Sequence, residues 1–309
     1  MILYYSDKIP QQIPKVIDEA LNLKVESLER LEGGQVNYSF LVGTNNDFLL
    51  VRVFRYDDWP VKKKLLFIEK KLNELGIKQP KIIFFDDSDK YFQNGFMVRE
   101  WVEGMPSIEA VKKGLITENK IFTEIAKILK KVHTIEFDKF GQPPFDNKSE
   151  GTKNFTSFVL GLDEKRLNKM IEENLVKIDL IESGKNKLKN LLDKIDFTVK
   201  PVMVHGDATP KNVILTEKGL ALIDWDDVKA NAWIYDLAYT SYHWGHKFRE
   251  PFLKGYGVCP EETSQIELLE NIFHIRLGLK LLPYYAYEIQ NEKNLNLTIK
   301  KLQKILSRS

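Results

Sequence analysis

His205-Gly206-Asp207-Ala208-Thr209-Pro210-Lys211-Asn212 is the stretch that decides how this chain is read. Short apolar runs flank it, Pro201 to Val204 before and Val213 to Leu215 after, inside a region that otherwise has helical spacing. A second motif, Ile223-Asp224-Trp225-Asp226, closes a third apolar run that begins at Ala221. Thr216 to Gly219 carries turn chemistry between the last two runs, which predicts a hairpin. That hairpin places Asn212 and Asp224 at its neighbouring open ends.

Working back towards the N-terminus, the first hundred residues predict strands around one helix. Val25 to Leu31, Tyr38 to Val42 and Phe48 to Phe54 are dense in strand formers, and Asn45, Asn46 and Asp47 supply a turn. From Val61 to Leu75 the period changes, with Leu65, Leu66, Ile68, Leu72 and Leu75 at helical spacing and Gly76 as the stop. Lys81 to Phe85 and Phe96 to Val102 predict two further strands, joined by an Asp-rich segment with Asn94-Gly95 as its turn. A hinge at Glu103 to Pro106 then hands over to a helical region. Thr117 is the expected N-cap of a helix over Glu118 to His133, two or three helices follow between 154 and 197, and helices resume from about Trp233. The expectation is an α+β chain in two parts: 1–103, a five-stranded sheet plus one helix, and 104–309, larger and mainly helical.

His-x-Asp followed by Asn, and then a hairpin ending in Asp, is the arrangement of a kinase catalytic loop and its metal-binding Asp. Seven fixed residues in two linked motifs, each flanked by apolar strands, are hard to assemble by accident. Trp225 and Asp226 stand where protein kinases carry Phe and Gly. In this the chain resembles the aminoglycoside phosphotransferase and choline kinase branch of the protein-kinase-like fold, and the resemblance runs from about Val25 to Leu282. It implies a bilobal fold and a magnesium-dependent enzyme that moves the γ-phosphate of ATP or GTP onto a hydroxyl. By this resemblance Asp207 is the catalytic base, Asn212 and Asp224 hold the metal, and Asp236, in Tyr235-Asp236-Leu237-Ala238, braces the loop. His205 is read as structural. Gly33, Gly34 and Asn37 correspond to a phosphate-binding turn, and Arg52 to the residue gripping phosphate from the third strand. Glu69 is the expected ion-pair partner of Arg52, with Glu74 as a second choice. Backbone groups of Glu100 and Val102 are expected to hold the purine.

The acceptor is less defined. Asp226, Trp233 and Tyr239 are the candidates for contacting it, within an aromatic set that includes Tyr235, Tyr242, Trp244, Tyr284, Tyr285 and Tyr287. Such a set suits a quaternary ammonium by cation–π attraction, or an apolar macrolide face. Aminoglycosides, homoserine and similar hydroxyl compounds belong to the same range. Two other readings share the resemblance: a bacterial stress-type protein Ser/Thr kinase, and a non-catalytic spore-coat or scaffold protein.

Bulk properties narrow the partners. A net charge of +2, from 46 Lys plus Arg against 44 Asp plus Glu, gives no electrostatic drive towards nucleic acid or an anionic membrane. No apolar run approaches the ~18 residues of a membrane span. The single cysteine, Cys259, forbids an intrachain disulfide and points to the cytoplasm. His243 and His246 lack the Cys or carboxylate neighbours of a metal site. The expected partners are a nucleotide and a small acceptor, with the protein a monomer or a dimer.

Overall fold

A computed structural model of the chain describes residues 8–31, 37–45, 47–57, 59–146, 150–258 and 262–307. It divides into two compact units, 1–106 with 214–226, and 107–213 with 227–309. The first boundary lies close to the hinge expected after Glu103, but the chain returns for 214–226. The cause is strand pairing: Met105 lies opposite Leu215 and Pro106 opposite Ile214.

In the first unit, strands β1 (Val25–Leu31), β2 (Asn37–Thr44), β3 (Phe48–Phe54), β4 (Ile82–Asp86) and β5 (Phe96–Glu100) form an antiparallel sheet ordered β1-β2-β3-β5-β4. Asn94 and Gly95 take positive φ, 68° and 85°, as the tight turn before β5 demands. Among the described residues this unit has two helices, not one. Helix α1 (Ile9–Leu21) precedes the sheet and α2 (Lys62–Glu74) follows β3. Helix α1 buries Ile9, Ile13, Val16 and Ile17 against Phe40, Val42, Val51, Val53 and Val98. Their spacing of four, three and one is the apolar stripe of a helix, and each side chain contributes about 1.5–3 kcal/mol by leaving water. Pro10 stands in the first turn, where its missing N–H costs nothing. Pro14 sits inside the helix and gives up one hydrogen bond, which the buried stripe offsets.

Period two along β3 sorts its side chains. Leu49, Val51 and Val53 are buried in this core, and Leu50 and Arg52 point to the other face. Arg52 lies opposite Met97 of β5, and Arg99 follows two residues on, so both guanidinium groups share that face. The hairpin Val213–Thr216 with Gly219–Leu222 forms a small sheet with Met105–Pro106 and delivers Asp224 and Asp226 to the same unit.

The second unit is mainly helical. Glu118–Val132 starts at Thr117, whose hydroxyl accepts the Lys120 N–H at 3.2 Å. It buries Ile121, Phe122, Ile125, Leu129 and Val132. Three helices, Phe155–Leu160, Glu164–Glu172 and Ile178–Leu192, occupy the region expected to hold two or three. Long helices Thr263–Pro283 and Glu292–Leu306 follow Ile234–Trp244 and Arg249–Tyr256. The catalytic-loop motif hangs between Val202–Val204, paired with Lys229–Asn231, and the 3₁₀ turn Pro210–Asn212. Helices Glu118–Val132 and Arg249–Tyr256 approach at Gly255, where a Cβ would stand 2.3 Å from the Thr123 carbonyl oxygen. Gly255→Ala must therefore move backbone, and is expected to cost about 1–3 kcal/mol in a urea melt. A midpoint equal to wild type would mean that this crossing has slack.

Candidate active site

In the first unit the site is an ion cluster built around Asp226. Its carboxylate is buried and accepts a bond from Arg52 Nη1 at 2.8 Å, with Arg99 Nη2 at 3.6 Å. Lys64, from α2, donates to the Asp226 carbonyl at 2.8 Å. Burial alone would raise the pKa of Asp226; Arg52, Arg99 and Lys64 outweigh it and hold the carboxyl below the usual range. Arg52 also donates to Asp224 at 3.2 Å. Its carboxylates, Asp226 first, raise its pKa against the burial that would lower it. Asp224 is the open member, with 39% of its side chain exposed against 7% for Asp226. Asp224 has φ of +63°, a left-handed backbone that costs a residue with a Cβ about 1–2 kcal/mol. Strain of this kind gathers where an exposed group must be held in one place.

The partner expected for Arg52 was Glu69, and here the structure differs. Arg52 has gone to Asp224 and Asp226, and among the described residues it makes no ion pair with Glu69 or Glu74. Glu69 acts on Arg99 through its field, and Glu74 pairs with Lys71 at 2.8 Å. The hairpin brings two carboxylates to Arg52 that helical spacing could not reveal. Asn37 is buried, with both side-chain polar atoms lacking a hydrogen-bond partner. Gly33 and Gly34 lie outside the described residues. The N–H of Glu100 is committed to the Lys81 carbonyl at 3.0 Å, whereas Val102 makes no backbone bond among the described residues.

In the second unit the loop around Asp207 is clamped from below. Asp236 is fully buried and accepts the N–H groups of His205 at 2.9 Å and Gly206 at 2.8 Å. Its Oδ2 also meets His133 Nε2 at 3.0 Å, while His133 Nδ1 meets the Tyr256 hydroxyl at 2.9 Å. These partners assign the proton to Nε2 of His133. Burial would raise the pKa of Asp236; the hydrogen bond and field of His133, then His205 and the Gly206 N–H, bring it below the carboxylate range. Gly206 takes φ of +89°, and a Cβ there would stand 2.3 Å from the Asp227 carbonyl oxygen. Only glycine fits between the clamp and the next strand. Above it, Asp207 accepts from Asn212 Nδ2 at 3.0 Å and Thr209 Oγ1 at 3.3 Å, so its carboxylate is aimed from both sides. Because the Asn212 nitrogen faces Asp207, the amide oxygen is turned outward and suits a hard cation.

The aromatic set divides. Trp233 stacks on Tyr256 at 4.2 Å and 13°, on the His133 side, and so supports the clamp. Tyr239 lies with Tyr235 at 6.1 Å and His243 at 4.6 Å. Burial raises the pKa of Tyr239, and Asp207 adds to the effect, which marks Tyr239 as a neighbour of the Asp207 carboxylate. His243 has a buried Nε2 without a partner. Burial, then Lys301, Lys211 and His274, push it down to about 4. An unfolded His takes its proton near pH 6.5 and the folded one only near 4. Stability contributed by neutral His243 is therefore present above about pH 6.5 and is lost as pH falls through the folded value. Between pH 7 and pH 5 the wild type is expected to lose more thermal stability than His243→Phe. Equal losses in the two proteins would remove His243 from this role.

Sequence reasoning missed Lys64, Arg99, His133 and Thr209. Arg99 was detectable as the second residue on the Arg52 face of β5. Thr209 lies within the loop motif itself, two residues from Asp207, whereas Lys64 and His133 are joined to the site only by folding over long sequence distances. Among the described residues no group of three His, Cys, Asp or Glu side chains could hold a metal ion, and no helix is long and apolar enough to cross a membrane.

Residues 27–264 match the sequence model of the phosphotransferase enzyme family, and the chain belongs to that family. It is a phosphotransferase with a hydroxyl group as acceptor and has the protein-kinase-like fold. No curated protein matches the sequence. Among solved structures, choline kinase LicA from Streptococcus pneumoniae is 22% identical with a TM-score of 0.67, covering 97% of this chain and 99% of that one. A thermostable mutant of aminoglycoside phosphotransferase APH(4)-Ia is 12% identical with a TM-score of 0.74, covering 96% and 97%. A putative fructosamine-3-kinase from Haemophilus somnus 129PT is 18% identical with a TM-score of 0.65, covering 98% and 99%. These likenesses establish the fold.

Proposed function

We propose that the protein is a small-molecule kinase, transferring the γ-phosphoryl group of ATP or GTP to a hydroxyl. The observation that carries this reading is the aimed carboxylate of Asp207, gripped by Asn212 and Thr209 above a loop that Asp236 clamps. A relative of this fold, the APH(4)-Ia mutant, was crystallised with AMP-PNP and hygromycin B, which supports a nucleotide donor and a small acceptor here. Asp207 would take the hydroxyl proton as the new oxygen–phosphorus bond forms and the nucleoside diphosphate leaves.

Arg52, with Asn37 and the Gly33-Gly34 segment, is assigned to the donor phosphates, and the backbone of Glu100 and Val102 to the base. Asp224 and Asn212 offer hard oxygen donors, and magnesium is held by one or two such groups together with phosphates. They would hold Mg²⁺, which supplies neutralisation of phosphate charge when bound. Asp226 has a cationic cage of its own and is assigned to fixing Arg52 and Arg99, not to the acceptor. Tyr239 keeps its assignment beside the acceptor; Trp233 is assigned to the clamp.

The test is ADP or GDP release with Mg²⁺, either nucleotide and a panel of acceptors. The panel holds aminoglycosides, macrolides, choline, ethanolamine, homoserine, methylthioribose and simple sugars. Release that depends on an acceptor and is lost in Asp207→Asn is the expected result. Phosphorylation of protein substrates alone would overturn the small-molecule acceptor.

A further inference from the structure

The second unit gathers three cations with no carboxylate at ion-pair distance among the described residues, Lys229, Arg276 and Lys280, and the first of them lies at the base of the loop that carries Asp207. Lys229 follows Asp227 on the strand Lys229–Asn231, and its Cε lies 2.9 Å from where a Cβ on Gly206 would stand. It is thus laid across the base of the catalytic loop. Its Nζ lies 4.9 Å from the Tyr235 ring centroid and 3.5 Å from the Tyr235 hydroxyl. Arg276 is buried and spends its hydrogen bonds on the carbonyls of Val159 and Phe158, each at 3.0 Å, so its charge stays uncompensated. Lys280 stands one helical turn further along Thr263–Pro283, on the same face. Part of its side chain reaches solvent and the rest is packed, and it has no hydrogen bond or ion pair among the described residues.

Like charge dominates the surroundings of Lys280. Lys229 first, then loss of solvent and Arg276, bring its pKa down to about 8, against the weaker opposing fields of Asp227 and Glu288. Glu288 is itself engaged with Arg166. A second observation bears on cationic acceptors. Lys229 covers Tyr235 at 4.9 Å, Lys301 covers Tyr242 at 4.8 Å and Lys169 covers Tyr287 at 4.6 Å. Three rings of the aromatic set thus already carry lysines of this chain.

We infer that the acceptor bears an anionic group, carboxylate or phosphate ester, beside its hydroxyl, and that Lys280 and Lys229 bind that group. This rests on the reading of Asp207 as the base of hydroxyl phosphorylation. Lys229 has the fields of Asp227 and Asp236 to hold its charge; an oxyanion supplies the counter-charge that the fold withholds from Lys280 and Arg276, and charged hydrogen bonds to lysine fix the hydroxyl relative to Asp207. A cationic acceptor would meet Lys280 as a like charge.

The test has two arms, each run on the full chain and on Lys280→Met. In the first, malonate and inorganic phosphate stand in for the two sources and are titrated by calorimetry into protein saturated with ADP and Mg²⁺. Binding of one of them, weakened about tenfold or more in Lys280→Met, is expected, and names the source. In the second arm, hydroxy acids are compared with their amides, and sugar phosphates with their free sugars, in the release assay. The anionic member of the preferred pair is expected to have the higher kcat/KM, with the preference erased by Lys280→Met through KM. Anion binding without any transfer would leave this subsite standing and remove the kinase reading. Preference for neutral or cationic acceptors, or failure of both anions to bind, would overturn the subsite. Lys280→Met is also expected to melt higher than wild type at pH 7, because the charged form is the one the folded site disfavours.

Discussion

Asp207→Asn is expected to lower acceptor-dependent turnover by roughly three orders of magnitude. The substitution keeps the shape of the side chain and one oxygen to receive the Asn212 bond at 3.0 Å, while its NH₂ can donate to the Thr209 hydroxyl, now 3.3 Å from the other carboxylate oxygen. What it removes is the capacity to take a proton. Folding and nucleotide affinity should therefore survive, and the loss should fall on kcat. The measurement is single-turnover release beside a nucleotide titration on the same preparation. If turnover stays within about tenfold of wild type, proton abstraction by Asp207 is not what drives the reaction. If nucleotide binding disappears with it, the variant has disturbed the loop and says nothing special about the proton.

Asp236→Ala is the second large effect, and it acts on both stability and rate. One buried carboxylate satisfies two backbone N–H groups and His133 at 2.8 to 3.0 Å. Truncation orphans all of them in a place water does not reach, which is expected to cost about 3–5 kcal/mol. In a thermal melt this corresponds to a fall of about 10 °C. Turnover should fall as well, because Asp207 follows directly on the two clamped residues. Asp236→Asn tests the geometry: it keeps one acceptor oxygen but presents an NH₂ to a donor, and should land between wild type and alanine. The depressed pKa of Asp236 supplies stability that is present above the unfolded carboxylate value, about 3.9, and is lost as pH falls through the lower folded value. An Asp236→Ala protein that melts like wild type would show that the loop is held elsewhere.

What could be seen in advance divides along physical lines. The sheet, the helix over Glu118–Val132 and the hairpin after Asn212 are written in local periodicity and turn residues, and they form where those signals place them. Helix α1 was hidden because Pro10 and Pro14 break the reading of Ile9, Ile13, Val16 and Ile17 as one stripe, although its buried face outweighs the lost bond. The loop motif revealed Asp207 and Asn212 because their chemistry is local, a few residues apart. The partners of Arg52 were not legible in the same way. Glu69 was the nearest carboxylate in the sequence reading, while Asp224 and Asp226 arrive by strand pairing from far along the chain. Lys280 was invisible for a related reason: a lone lysine on a helix looks solvated until the fold sets Lys229 and Arg276 against it.

The return of 214–226 to the first unit also governs the order in which that unit can be made. A fragment ending at Pro106 would contain Arg52, Arg99 and Lys64 but not Asp226, whose carboxylate pairs with the two arginines and whose carbonyl accepts the Lys64 bond. On the ribosome the sheet and α1 emerge first, yet their cluster of cations waits until the catalytic loop has also been synthesised. A unit begun at the N-terminus is thus completed late, against the usual N-to-C sequence of domain folding. Its nascent form is an unfinished sheet whose buried cations lack their counter-ion, and the aspartate that finishes it is the one that follows the strained Asp224-Trp225 turn.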